Sequence, residues 1–247
     1  MFNQLKDCFD ETLNRFMASP PMQQLASSNV TAAEYGSFLR QIYYVVRENP
    51  QLQALATVYF RGNQREQVRN FFQHATSEVG HDQLALNDFE ALGFDATNVP
   101  YQNPLPASSA MTAFAFYQIY NLNPVGYLGY LFFLEFLPTQ AGGILTEKLR
   151  EAGVPDNAMT FIRDHIEIDQ AHNRLMKTYA DQLLKTPRDL DASRYAIMAT
   201  SFHYEQLLST AISAAHQPVD TGWNWEELDA DGIDPASLKK EKLGIVA

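Results

Sequence analysis

Two stripes of potential metal ligands constrain this chain more than any other feature. His74, Glu78 and His81 are spaced i, i+4, i+7, and His165, Asp169 and His172 repeat that spacing. On an α-helix, with about 3.6 residues per turn, such positions stack along one face. Four of the six histidines fall in these two stripes, which is sharper than chance placement in a helical protein. Imidazole and carboxylate on one face, without sulfur, form a metal-ligand set. One helix face cannot surround an ion, so the fold is expected to bring partners to each stripe.

The rest of the chain reads as helix. Leu5, Phe9, Leu13 and Phe16 have helical spacing, and Pro20-Pro21 is expected to end that helix. Thr31 and Glu34 form a capping-box signature for a helix over 32–47, and Asn49-Pro50 interrupts before 51–61 resumes. A single long helix is expected from Gln64 to Leu92, stopped by Gly93. Residues 95–107 read as a loop, and Ser108 or Ser109 can cap a helix to Tyr120. Pro124 opens a helix to about Ala152, kinked or broken at Pro138, and Asp156 caps another to about Lys185. Asp189 or Asp191 opens the last, ending near His216. With no strand hairpin, linker or repeat, the spacing predicts an all-α single domain of seven to eight helices over 1–216. The tail, 217–247, with Trp223 and Trp225, is expected to pack on the surface.

Composition narrows the function. The net charge is -11 and no Lys/Arg-rich run exists, which argues against nucleic acid as a partner. A single cysteine, Cys8, excludes an internal disulfide framework and a thiolate metal cluster, and fits a reducing cytoplasm. Residues 1–15 lack the apolar core of a signal peptide. The most apolar run, Val125 to Leu137, is short for a bilayer span and contains Glu135, so it is expected to be a buried helix in a soluble, cytoplasmic protein without membrane insertion.

Glu135 is the third strong element. A helix apolar nearly all round is buried all round, and a carboxylate in its middle needs a cation, strong hydrogen bonds or a proton. Gly126 and Gly129 would admit a close helix neighbour or open space for a substrate. Together Glu78, His81, Glu135, His165, Asp169 and His172 supply three carboxylates and three imidazoles. That set suits two carboxylate-bridged ions, with Fe or Mn favoured. His74 completes the first stripe either as a ligand or as a hydrogen-bonding support. Glu48 either adds a fourth carboxylate or pairs with Arg47 or Arg61. Glu167 falls on another helix face and reads as solvated, while His203 and His216 read as surface or hydrogen-bonded residues. Tyr44, Tyr117, Tyr130 and Phe133 are candidate cavity aromatics, although such stripes also serve as plain core.

Glu78-x2-His81, the isolated Glu135 and His165-x3-Asp169-x2-His172, in this order on separate helices, resemble the haem-oxygenase-like di-iron oxidases, also described as iron-containing redox enzymes. Relatives include proteins similar to CADD, TenA and PqqC. The resemblance covers roughly Thr31 to His216 and implies a seven-helix bundle, a labile pair of iron ions, dioxygen activation and a homodimer. No His precedes His74, which argues against haem, and Cys8 is poorly placed as a TenA-type nucleophile. The expected function is a di-iron oxidase or oxygenase that uses O2 on a small organic substrate. Two alternatives stay open. One is a ferritin-like iron-binding protein using Glu48, Glu78, His81, Glu135, Asp169 and His172; the other is a cofactor-free TenA- or PqqC-like protein.

Overall fold

The computed structural model describes residues 1–216, so the tail expected as a surface wrap lies outside the described residues. Within them the fold is all-α, with ten α-helices and no strand. They are α1 (Phe2–Met17), α2 (Pro20–Leu25), α3 (Ala32–Val46), α4 (Asn49–Ala56), α5 (Val68–Glu78), α6 (His81–Ala91), α7 (Pro106–Asn121), α8 (Tyr127–Glu151), α9 (Thr160–Leu183) and α10 (Pro187–His216). Only α2 and α4 are shorter than two full heptads' worth of bundle helix by a wide margin, leaving eight principal helices as the spacing predicts.

The helix starts follow local chemistry. Thr31 and Glu34 close a reciprocal capping box on α3. The preceding helices stop before Pro20-Pro21 and Asn49-Pro50, as expected, and both prolines also start new helices. Pro20-Pro21 opens α2 and Asn49-Pro50 opens α4, because a first-turn residue needs no N–H acceptor and proline's φ already suits a helix. Ser108 does not cap α7, which begins at Pro106; its hydroxyl donates to the Gln41 side chain instead.

The start of α9 is set from across the bundle. Asp156 lies in a short 3-10 turn, and Asp88 of α6 caps α9 instead, accepting from the Thr160 and Phe161 amides at 3.0 and 2.8 Å and from the Thr160 hydroxyl. Asp88 is wholly buried, so its loss strands those donors. Asp88→Ala is expected to lower stability by about 1–2 kcal/mol, read as a lower urea midpoint at unchanged slope.

Helix α8 is the centre of the bundle, with α9 on one side and α10 on another, and α10 also packs on α1, α3 and α7. Its Pro138 lies inside the helix rather than ending it. The apolar stretch consequently runs on past Leu137. By length and composition Pro124–Glu151 could cross a membrane, but two thirds of its most apolar window is buried inside the bundle. The glycines explain the tight packing. A Cβ on Gly129 would lie 1.9 Å from the Ser193 carbonyl oxygen of α10, and one on Gly126 would lie 2.3 Å from Gln118 Nε2. They serve helix approach, not substrate space.

One long expected helix is in fact two. Val79 is extended and Gly80 takes φ +97, which breaks the 64–92 segment into α5 and α6. Glycine enters the left-handed region without the Cβ clash that restricts other residues. Residues 62–67 ahead of α5 form a 3-10 helix. The first stripe is therefore not one helix face: His74 and Glu78 end α5, and His81 begins α6.

Candidate metal centre

The two stripes and Glu135 meet in the middle of the bundle. His74, Glu78, Glu135 and His172, all buried, each offer one ligand atom, and these atoms lie within 4.8 Å of one another. Glu135 of α8 sits between the stripes. Its Oε1 is 3.1 Å from His74 Nε2 and its Oε2 accepts from His172 Nδ1 at 2.9 Å. His172 Nδ1 also lies 3.4 Å from Asp169 Oδ1 and 3.5 Å from Glu78 Oε1.

Glu78 faces two ways. Its Oε1 lies toward His74 and His172, at 3.7 and 3.5 Å, while its Oε2 is 3.4 Å from His81 Nδ1. The His81 ring packs against His165, with centroids 5.0 Å apart. His165 Nδ1 donates to the Phe161 carbonyl at 2.6 Å, leaving Nε2 with its lone pair in the neutral ring. Asp169 and His165 line the same cavity as Glu78 and Glu135.

The sequence left His74 between ligand and support, and the structure places it within the cluster. The same logic missed Gln53, whose amide nitrogen lies 2.7 Å from His74 Nδ1. In that orientation Gln53 Oε1 and His74 Nε2 are both buried without a hydrogen-bond partner. Turning the amide over lets Oε1 accept from Nδ1–H and gives Nε2 a lone pair aimed at Glu135, the form a metal requires. Gln53 carries no signal in the sequence, because only the packing of α4 on α5 brings it to His74.

Other candidates lie elsewhere. Glu48 pairs with Arg47 at 3.0 Å and lines a separate cavity, so the ferritin-type set lacks that member. Glu167 is exposed. His203 packs on Phe114 and Phe202, and His216 pairs with Glu34 at 2.9 Å. Among the candidate aromatics, Tyr117 is exposed, Tyr44 donates to the Val99 carbonyl, and Phe133 packs on Phe9 and Phe16. Tyr130 points its hydroxyl toward Asn49. The aromatics that line the cavity are Phe161 and Tyr204.

Electrostatics give the cluster its character. Three carboxylates, Glu78, Glu135 and Asp169, are buried together, and the Lys and Arg ion pairs among the described residues all lie elsewhere. Burial pushes Glu135 up, but the hydrogen bond from His172 and the His74 ring beside it outweigh that and hold its carboxyl well below the usual range. Burial alone would lower His172; bonds to Asp169 and Glu135 instead push it up to about 10. Asp169 is pushed up to about 8, by burial first and then by the charge of Glu135 against the opposing His172 bond. Burial lowers His165, which favours the neutral ring, and the Glu78 carboxylate 3.4 Å away raises His81.

These shifts set the pH dependence of the metal-free protein. Between 3.8 and about 8 the folded state keeps a proton on Asp169 that the unfolded chain releases. Stability therefore falls as pH rises through that window. His172 acts in the same direction: its stabilisation is full below 6.5 and is lost as pH rises through about 10. The melting temperature of metal-free protein is expected to fall steadily from pH 5 to pH 9. With Mn²⁺ present the trend should reverse, since bound ligands must be deprotonated.

An orphaned His74 Nε2, an orphaned His81 Nδ1 and an excess of buried carboxylate fit a bound cation, and the N/O donor set fits iron or manganese. Fold and site together define a haem-oxygenase-like helical bundle with a buried His/Glu cluster able to bind metal. Residues 37–205 match the family described as iron-containing redox enzyme, and the chain belongs to that family. A domain of unknown function with a heme oxygenase-like fold from Shewanella denitrificans superposes with TM-score 0.81 at 21% identity, covering 89% of this chain and 97% of that one. A TenA homolog from Pseudomonas syringae pv. tomato gives 0.70 at 12% identity, over 85% and 92% of the two chains. The TenA homologue of P. horikoshii gives 0.68 at 12%, over 86% and 98%. No curated protein matches the sequence.

Proposed function

We propose that the protein is a non-haem di-iron oxidase or oxygenase that uses O2 to oxidise a small organic substrate. The observation that carries this reading is Glu78, whose two oxygens face separate imidazole groups. His74 and His172, with Glu135 and Glu78 Oε1, would hold one ion. His81 and His165, with Glu78 Oε2, would hold the other. Asp169, one turn from each of its α9 partners, is available to either. Manganese suits the same donors. Bound iron would supply dioxygen activation, which side chains alone do not.

The protein's own contribution is orientation and exclusion of water. Phe161 fixes the His165 ring through its carbonyl, Gln53 fixes His74, and Glu135 fixes both His74 and His172. Ile42, Val45, Val46 and Leu137 wall the cavity with apolar surface, which strengthens charge interactions inside it.

The test is metal analysis after anaerobic loading with ferrous iron, followed by O2 uptake. Two irons per chain and O2 consumption coupled to iron oxidation are expected. A protein that takes up no iron, or whose His165→Ala variant differs only in stability, overturns the proposal. Gel filtration separates the rival storage role: the oxidase is expected as a dimer and a storage protein as a cage.

A further inference from the structure

Helix α10 leaves an apolar face uncovered among the described residues. Tyr195, Met198 and Phe202 are 50%, 44% and 59% exposed and recur at i, i+3 and i+7, so they form one stripe along the helix. Single exposed apolar side chains are ordinary, but a run of large ones marks a surface that something covers. A groove lies beside this stripe, between α1 and α10. Met198 and Phe202 line it from α10, Thr12 and the buried Phe16 from α1, and Arg15 and Glu205 are its charged members. Phe16 packs edge-on against Phe133 and Tyr204, with ring centroids 5.6 and 5.5 Å apart, so its side of the groove is held from behind. Arg194 lies one turn before Met198 along α10. Neither Arg15 nor Arg194 has a carboxylate partner among the described residues.

The chain itself supplies a segment of matching chemistry. Residues 217–247 lie outside the described residues and follow directly on α10. They hold Trp223 and Trp225, the only tryptophans of the chain, followed by Glu226, Glu227, Asp229 and Asp231, and no Lys or Arg precedes Lys239 among them. We propose that this segment turns back along α10 of its own chain and seats Trp223 and Trp225 on the Met198–Phe202 face, with Glu226 and Glu227 toward Arg194.

The reach fits this register. Phe202 lies about 21 Å back along α10 from His216, at 1.5 Å per residue, and an extended chain from His216 carries Trp223 about 23 Å. Met198, at about 27 Å, pairs in the same way with Trp225, at about 30 Å, and Arg194 falls level with Glu226 and Glu227 at about 33 Å. The driving force is aromatic area. Each indole brings about 150–250 Å² to an apolar surface and keeps its N–H at the wet rim, which offsets the ordering of the connecting residues. Carboxylates after the second Trp meet an arginine rather than the one acid of the groove, Glu205. Seated there, the tail backs Phe16, whose ring carries the contact on to Tyr204 in the wall of the metal cavity.

The experiment is tryptophan fluorescence of the full-length protein, which reports on the tail alone because both tryptophans lie in it. Emission is expected at shorter wavelength than in the urea-unfolded chain, with weaker quenching by acrylamide. Phe202→Asp should shift emission and quenching to the unfolded values while the far-UV circular dichroism stays unchanged. Ile144→Asp, an equally exposed apolar position on α8, should leave both in place. Should Phe202→Asp fail to fold, Arg15→Glu, at an exposed position, must still raise the quenching. Native emission equal to that of the unfolded chain overturns the proposal, as does emission that folded Phe202→Asp leaves unmoved or that Ile144→Asp shifts equally. A blue shift lost on dilution, in step with a fall in size on gel filtration, assigns the face to the tail of a second copy and overturns seating within one chain.

Discussion

Glu135→Gln is expected to lower iron affinity by at least about 100-fold while leaving the helical content unchanged. Losing a group that merely supports a ligand already costs roughly 10–100-fold, and Glu135 touches His74 at 3.1 Å and His172 at 2.9 Å directly. Glutamine keeps the volume but removes the charge, and its amide hydrogens would point at a cation or at the His172 N–H. The metal-free protein should also change. Glu135 is one of the groups holding His172 up to about 10 and adding to the rise of Asp169 to about 8. Both should titrate lower in the variant, which an NMR titration of the imidazole resonances can follow. Full iron occupancy in Glu135→Gln would remove this carboxylate from the centre.

Gly129→Ala is expected to cost about 3 kcal/mol or more, the upper range of overpacking penalties. The added methyl would stand 1.9 Å from the Ser193 carbonyl oxygen and 3.0 Å from the Ala196 methyl. The first neighbour is backbone, so no side-chain rotation relieves it; α8 and α10 must separate. For a domain of this size that is a drop of roughly 6–12 °C in melting temperature. Glu135 lies six residues further along α8, so iron binding should weaken in parallel. A change of under 1 kcal/mol in the urea-derived stability would mean that the two helices can part freely. By contrast, Gly143 has open space around its Cβ position, and Gly143→Ala serves as the control, expected to be neutral or slightly stabilising.

Much of this was legible from local pattern. Apolar spacing, the Thr31/Glu34 box and the scarcity of strand signals are properties of a few neighbouring residues, and they suffice for an all-α domain of this helix count. The second stripe was equally local: His165, Asp169 and His172 lie on one unbroken helix, so their shared face follows from the helical period. Glu135 announced itself by contrast, as a lone charge in the middle of an apolar helix.

What spacing could not deliver depended on where one helix stands against another. Gly80 gives no numerical warning in a periodic pattern, since a glycine within a helix is tolerated; its left-handed φ only becomes necessary once α5 and α6 must pack on different neighbours. That break takes His81 off the α5 face and sets it beside Glu78 Oε2. Asp88 as the cap of α9 and Gln53 as the partner of His74 are likewise contacts between residues distant in sequence. The sequence alone determined which helices carry charge on an inward face, because burying such groups without partners is too costly to leave to chance. Tertiary structure alone decided which of those groups meet, since a separation of a few ångströms between side chains is fixed by helix packing and not by helical period.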